Sequence, residues 1–267
     1  MVFLPARCYD QKIAMNIRVC ALFLLVLGVF NNGRSTTAET TAPPPSPPKP
    51  PAIVIGFVGG LVKHDNMVHS EVQLAAELRA AYSSDVYVEV FENYHREKAY
   101  QKILRLLDTD HDGTLTAEEK QRAQIIIYGH SWGASETLAL SRELEKEGIP
   151  VLLTVQIDSV AKFGHSDKVI PANVGEAVNF YQHRGLIRSQ TQIRAVDPRR
   201  TRVIGNILFD YKGQAIHCDK YPWWDRYIVK AHTQIECDPK IWNQVDSLIR
   251  SKLPSLERAA AVPSLIR

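Results

Sequence analysis

The run Ile125-Ile126-Ile127-Tyr128 is apolar at every position and then breaks at once into Gly129-His130-Ser131-Trp132-Gly133. A strand without polar alternation needs cover on both faces, and the interior of a parallel sheet flanked by helices supplies it. The two glycines leave room for a tight reversal. Residues Ala134 to Glu147 resume with helical spacing and stop at Gly148, a residue suited to a helix C-terminus. A buried strand, a sharp turn and a helix in direct succession restrict the possible folds more than any other feature of the chain.

The same alternation extends in both directions. Ile53 to Gly60 (IVIGFVGG) reads as a short strand running into glycines, Ser70 to Tyr82 as a helix, and Val86 to Glu92 as a strand. Arg96 to Leu107 reads as a helix, Val151 to Ile157 as a buried strand, and Asn173 to Tyr181 as a helix. Arg202 to Tyr211 reads as a strand and Pro239 to Leu253 as a last helix, with Ile241, Val245, Leu248 and Ile249 on one face. Strands separated by helices predict an α/β fold with a mostly parallel sheet.

Ahead of this domain (53–267) the composition changes twice. Residues 1–38 hold the apolar run Val19 to Phe30 preceded by Arg7, Lys12 and Arg18, the charge-then-apolar order of a signal peptide, with small residues Thr36 and Ala38 at the cleavage positions and Met15 as an alternative start. Left uncleaved, the segment would act as an N-terminal anchor. Residues 39–52 include the proline-rich run APPPSPPKPPA, which forms an extended linker because proline fixes φ and lacks an N–H. The expected location is secreted or periplasmic, or membrane-anchored, with membrane or cell-wall proximity through the N-terminus. In such a compartment Cys218 and Cys237 suit a disulfide, the alternative being two buried free thiols. A net charge of +3, with Arg199, Arg200 and Arg202 as the densest basic cluster, argues against a nucleic-acid partner.

The motif Gly129-His130-Ser131-Trp132-Gly133 is a GxSxG sequence in the strand–turn–helix context that lifts a serine hydroxyl above the carboxyl end of a sheet. The alternative is a tight turn without chemistry. On these residues the chain resembles the α/β-hydrolase superfamily, in particular its lipase, esterase and thioesterase members, from about Ile53 to Leu253. The resemblance implies Ser131 as nucleophile and the Trp132 N–H as one oxyanion donor, with the second from the glycine loop at Gly59 and Gly60. It implies the chain order serine, acid, histidine. His232 fits the base, ahead of His217, His165 and His183. Asp158, ending the strand after the nucleophile, fits the acid, with Asp210 (expected one strand later) and Asp225 as alternatives. The implied substrates are small-molecule or lipid esters, or thioesters, cleaved through an acyl-enzyme. A peptidase of the same fold and a non-catalytic calcium-binding protein on this scaffold are the competing readings.

A second motif runs from Asp108 to Glu119, DTDHDGTLTAEE. It matches a twelve-residue EF-hand loop. Asp108, Asp110 and Asp112 stand at positions one, three and five, Gly113 at the turn, Thr114 offers its carbonyl at seven, and Glu119 stands at twelve. The implied cofactor is Ca2+, held by a single loop inserted before the nucleophile strand and acting as a structural clip. An acidic turn loop is the alternative. Two weaker features remain. Tyr221 to Asp225 (YPWWD) would line an acyl pocket or pack as a loop, and Ser159 to Arg202 is the only room for a lid.

Overall fold

The computed structural model describes residues 49–255 apart from 83, 84, 163, 165 and 215. The apolar leader, most of the linker and His165 therefore lie outside the described residues. Among the described residues no helix is long and apolar enough to cross a membrane.

The apolar runs become strands, and period-two alternation divides their side chains between two helix layers. In β1 (Ala52–Val58) and β3 (Ile125–His130), Val54, Ile126 and Tyr128 turn to one face while Ile53, Ile55, Ile125 and Ile127 turn to the other. The first face packs on α1 (Ser70–Ala81) and α7 (Pro239–Arg250) through Leu74, Leu78, Trp242 and Val245. The second packs on α2 (Arg96–Leu107) and α4 (Trp132–Lys146) through Ile103, Leu107, Leu138 and Leu144. With β2 (Val86–Glu92), β4 (Val151–Ile157), β6 (Val174–Tyr181) and β8 (Arg202–Leu208), they form a six-stranded sheet in the order β2-β1-β3-β4-β6-β8. Every neighbouring pair in it is parallel. The fold is α/β, a parallel sheet covered by helices on both faces.

Residues 173–181 correct one expectation. They form the strand β6, not a helix. Asn173, Glu176 and Asn179 fall at helical spacing, but Val174, Ala177, Val178, Asn179 and Phe180 are all fully buried, as a strand between two others requires. Its β-branched and aromatic residues suit the place it fills between β4 and β8. The room for a lid shrinks accordingly, because 159–202 also contains the small parallel pair β5 (Val169–Ile170) and β7 (Arg194–Ala195).

Connections run to opposite sides of the pair β1/β3, because β2 lies beyond β1 and β4 beyond β3. The crevice at the carboxyl ends of such a pair is where open α/β sheets bind ligands. The loop after β1, the turn after β3 and the end of β4 all open onto it. The chain then passes through α5 (Trp223–Ile228) and α6 (Lys230–Cys237) before α7. Cys218 and Cys237 are disulfide-bonded with their Cα atoms 5.9 Å apart, closing the segment that carries both short helices.

Candidate active site

Between β3 and α4 the chain turns through one residue, Ser131, at φ 56° and ψ −123°. A non-glycine residue held there costs about 1–3 kcal/mol and persists only where its surroundings enforce it. Three backbone bonds and two glycines do so here. Ser131 N–H donates to the Ile157 carbonyl (2.9 Å), Val160 N–H donates to the Ser131 carbonyl (3.2 Å), and Ser135 N–H donates to the same oxygen (3.3 Å). A Cβ on Gly129 would stand 2.6 Å from the Gly133 carbonyl group, and one on Gly133 would stand 2.2 Å from the Phe57 oxygen. Both glycines of the motif are therefore required by close backbone contact.

The elbow aims the Ser131 hydroxyl at His232, whose Nε2 lies 2.9 Å away, and His232 Nδ1 lies 2.6 Å from Asp158 Oδ2. Asp158 is fully buried and, like Ser131, has a positive φ, 46°. Its other contacts come from Gln182, which donates its backbone N–H to Oδ1 and its side-chain amide to Oδ2, each at 3.1 Å. Gln182 follows β6 directly, so the strand read as a helix supplies the residue that holds the carboxylate. Nothing in the local sequence around Gln182 marks it for that place.

The other candidates do not meet the serine. The strand one place beyond β4 is β6, and its end carries Gln182 where an acid was looked for. Asp210 lies after β8, two places beyond β4, half-exposed and paired with Arg184 at 2.6 Å. His217 and His183 are exposed. Asp225 lines the same cavity as Ser131, but His232 turns its Nδ1 to Asp158.

A cavity of about 440 Å³ opens over Ser131, with Gly59, Gly60, Trp132, Val160, Ile187 and Val229 among its walls. Trp132 is the first residue of α4, so its N–H has no acceptor within the helix and stands at the positive end of the helix dipole. The Gly59 Cα comes close enough that an added Cβ would stand 3.0 Å from Ser131 Cβ. Gly60 has φ 47°, and the Asn93 amide donates to its carbonyl, tying this loop to the end of β2. Of the Tyr221–Asp225 run, Asp225 lines the cavity, Trp223 and Trp224 are exposed on α5, and Tyr221 is buried with its ring 5.3 Å from that of His69.

A buried polar cluster that the sequence reading did not assemble lies behind this loop. It comprises His69, Glu71, His130 and Glu236. Glu236 stands one helical turn after His232, and Glu71 shares the buried face of α1 with Ala75 and Leu78. Those spacings were the available signals: a carboxylate on an apolar face and an i, i+4 pair. Burial, then the charge of Glu236, pushes the Glu71 carboxyl well above its ordinary range. Burial also pushes Glu236 up, but His130 and His69 outweigh it and hold its carboxyl at about 2. The His130 ring lies 4.5 Å from that of His232, and burial pulls its pKa down to about 4.

Residues 108–119, which end ten positions before Gly129, wrap into a loop closed by their own carboxylates. Asp108 Oδ2 accepts from Gly113 N–H (3.0 Å), Asp110 Oδ1 from Asp112 N–H (3.2 Å), and Asp112 Oδ1 from Thr114 N–H (2.6 Å). His111 and Gly113 take positive φ, 60° and 82°. The loop ends at α3 (Ala117–Gln121), where Thr116 and Glu119 form a reciprocal capping box. Oxygen atoms of Asp108, Asp110 and Glu119 lie within 4.8 Å of one another, and Asp108 Oδ1 is buried without a hydrogen-bond partner. An oxygen-only donor set with one orphaned carboxylate oxygen fits a hard cation. Glu119 is engaged elsewhere: backbone N–H groups of Thr116 and Thr109 hold its carboxyl at about 2, so it would exchange those bonds to reach an ion.

No family model matches the chain, and no curated protein matches it. Solved structures of low overall similarity match parts of the chain. One is a thermostable esterase from Pseudomonas putida ECU1011, with TM-score 0.41 and 10% identity, covering 79% of this chain and 77% of that one. Another is the RedJ thioesterase of the prodiginine pathway in Streptomyces coelicolor, with TM-score 0.37 and 11% identity, covering 72% and 90%. A third is ClbQ from the colibactin NRPS/PKS pathway, with TM-score 0.36 and 10% identity, covering 78% and 99%. At such scores the likeness carries no argument about chemistry, and the functional reading stands on the distances around Ser131.

Proposed function

We propose that this chain is a serine hydrolase that cleaves carboxylic ester or thioester bonds through an acyl-enzyme. The observation that carries the reading is the continuous contact from Ser131 Oγ to His232 Nε2 and from His232 Nδ1 to Asp158, at the mouth of a partly apolar cavity. His232 takes the serine proton as Oγ attacks the acyl carbon, and Asp158 holds the imidazole and stabilises its charge. The oxyanion forms against the Trp132 N–H and the Gly59–Gly60 loop. The proton then passes from His232 to the leaving alcohol or thiol, and a water activated by the same imidazole releases the acid and restores Ser131. Val62, Val160, Ile187 and Val229 in the cavity, with exposed Leu61 and Leu186 nearby in sequence, suit an acyl or other lipid-like substituent.

Calcium belongs to the same reading. Asp108, Asp110, Asp112, the Thr114 carbonyl and Glu119 would hold it. Its contribution is to neutralise clustered carboxylates and fix the loop between α2 and β3. The charge-then-apolar N-terminal segment, the proline-rich linker and the disulfide support a protein delivered to a secreted or envelope-facing location. Labelling the purified full chain with a fluorophosphonate, with and without a calcium chelator, tests the reading. Labelling that disappears in Ser131→Ala is expected. A folded wild-type chain that takes no label would move the case to a non-catalytic calcium-binding scaffold.

A further inference from the structure

Four side chains that the serine relay does not use converge at the wall of the same cavity, which His69, His130 and Glu236 help to line. His69 is the N-cap of α1 and Glu71 sits in its first turn. His130 ends β3, next to the serine, and Glu236 lies on the helix that carries His232. Glu236 divides its two oxygens, Oε1 contacting His69 Nδ1 and Oε2 lying 3.5 Å from His130 Nδ1. Glu71 Oε1 lies 3.7 Å from the same nitrogen. Ligand atoms of His69, Glu71 and Glu236 all lie within 4.8 Å of one another.

Glu71 makes the cluster more than a packed polar corner. It is 0% exposed, and its carboxylate receives no well-formed hydrogen bond from a side chain among the described residues, its nearest polar neighbours being the Glu236 carboxyl, His130 and backbone N–H groups at Gly59 and Glu71. A buried carboxylate stays ionised only beside a positive partner and otherwise takes up a proton. Here it faces a second carboxylate, with two imidazoles as the other side chains of the cluster. Neutral imidazoles and two carboxylates sum to a charge that one dication cancels. Metal–nitrogen and metal–oxygen lengths of about 2.0–2.2 Å give a tetrahedral ligand–ligand edge of about 3.3–3.6 Å. The two His130 separations match that edge within about 0.2 Å. The His69 contact to Glu236 would open toward it as an ion enters. Mixed imidazole and carboxylate donors select a zinc-class ion over calcium.

The geometry points to a second metal site: a divalent transition-metal ion of the zinc class held by His69, Glu71 and Glu236 at the wall of the active-site cavity, with His130 facing both carboxylates as the nearest fourth donor. The site stands on these side chains alone and does not depend on the serine chemistry. It would tie the start of α1, the end of β3 and α6 together one turn from His232. Loss of the ion would therefore loosen the base.

The test strips the full chain with a chelator, restores calcium, and titrates Co2+ as a spectroscopic stand-in for zinc. One equivalent of cobalt is expected, with the visible absorption of a tetrahedral complex that added zinc abolishes. Glu71→Gln and His69→Ala, each checked for folding by circular dichroism, should weaken cobalt binding at least about tenfold, by analogy with the cost of losing metal-site contacts. Glu119→Gln in the calcium loop should leave it unchanged. A folded wild-type chain showing no cobalt absorption would overturn the site, as would binding that survives the His69→Ala/Glu71→Gln double variant. The cluster would then be a carboxyl pair sharing a proton. If the variants fail to fold, the wild-type spectrum and its zinc competition still decide.

Discussion

Replacing Asp158 by Asn changes one atom and leaves the volume of the side chain unaltered, so its effect isolates the charge. Asp158 Oδ2 receives two donors, His232 Nδ1 at 2.6 Å and the Gln182 amide at 3.1 Å, while Oδ1 receives the Gln182 backbone N–H at 3.1 Å. An asparagine NH2 must face one of these sets. Turned toward His232, it demands the tautomer with the proton on Nε2, which donates to Ser131 and is unable to accept its proton. Turned the other way, it sets a donor against the buried Gln182 N–H. Either orientation also removes a full charge from the imidazolium that forms during attack. At an effective dielectric constant of about 20, a charge pair 2.6 Å apart is worth about 6 kcal/mol. That corresponds to a loss of roughly 10⁴ in kcat, the scale on which serine triads respond to the same change. Initial rates on a p-nitrophenyl ester, with thermal unfolding as the control for folding, measure it. Asp210→Asn, which alters only an exposed pair with Arg184, should stay within about twofold of wild type. Asp158→Asn activity within tenfold of wild type, in a folded protein, would refute the assignment of the acid.

Three further outcomes follow from the same coordinates. Gly133→Ala forces a Cβ to 2.2 Å from the Phe57 carbonyl oxygen and should destabilise the fold by about 3 kcal/mol; Gly148→Ala, at φ 71° in open space, should cost about 1–2, and equal unfolding shifts for the two would contradict the packing at the elbow. Calcium at a hundred times its Kd should stabilise the chain by about 2.7 kcal/mol, read as a calcium-dependent unfolding temperature that Glu119→Gln abolishes. The third concerns Glu92. Burial raises its carboxyl, but hydrogen bonds from His64 and His95 outweigh burial and hold it at about 2, against an ordinary 4.5. A depressed folded pKa contributes stability above pH 4.5 that disappears as pH falls toward 2, here at most about 3 kcal/mol. The stability gap between wild type and Glu92→Gln should therefore close across that window in acid titrations, and a gap independent of pH would count against those hydrogen bonds.

The parts of this fold that could be read from the sequence are those in which local chemistry and tertiary context ask for the same residue. β2, α2 and β4 fall where the periodicity of Val86 to Glu92, Arg96 to Leu107 and Val151 to Ile157 puts them, because apolar spacing alone decides which face is buried. The elbow was legible for a different reason. Gly129 and Gly133 are forced by backbone contacts of 2.6 and 2.2 Å, and such contacts leave a fixed spacing in the chain. β6 was not legible because Asn173, Glu176 and Asn179 recur at helical spacing, and only its pairing with Val151–Ile157 and Arg202–Leu208 fixes it as a strand. Asp210 was overvalued for the same cause: without β6, the strand before it stands one place too close to the strand that ends at Ser131.

The same distinction separates the relay from the cluster beside it. Ser131, Asp158 and His232 each occupy a place that chain order reveals: after a strand, at a strand end, and ahead of the final helix. His69, Glu71, His130 and Glu236 become neighbours only through the crossing of α1 and α6 at the end of β3, with Glu71 and Glu236 165 positions apart. No local spacing encodes a contact of that range. What the sequence does carry is the anomaly: a glutamate on the buried side of α1, one residue before Val72 and four before Ala75. A carboxylate placed among residues that exclude water has to be neutralised by something. Its surroundings offer a proton shared with Glu236, the two imidazoles or an ion, and cobalt titration separates the last of these from the first two.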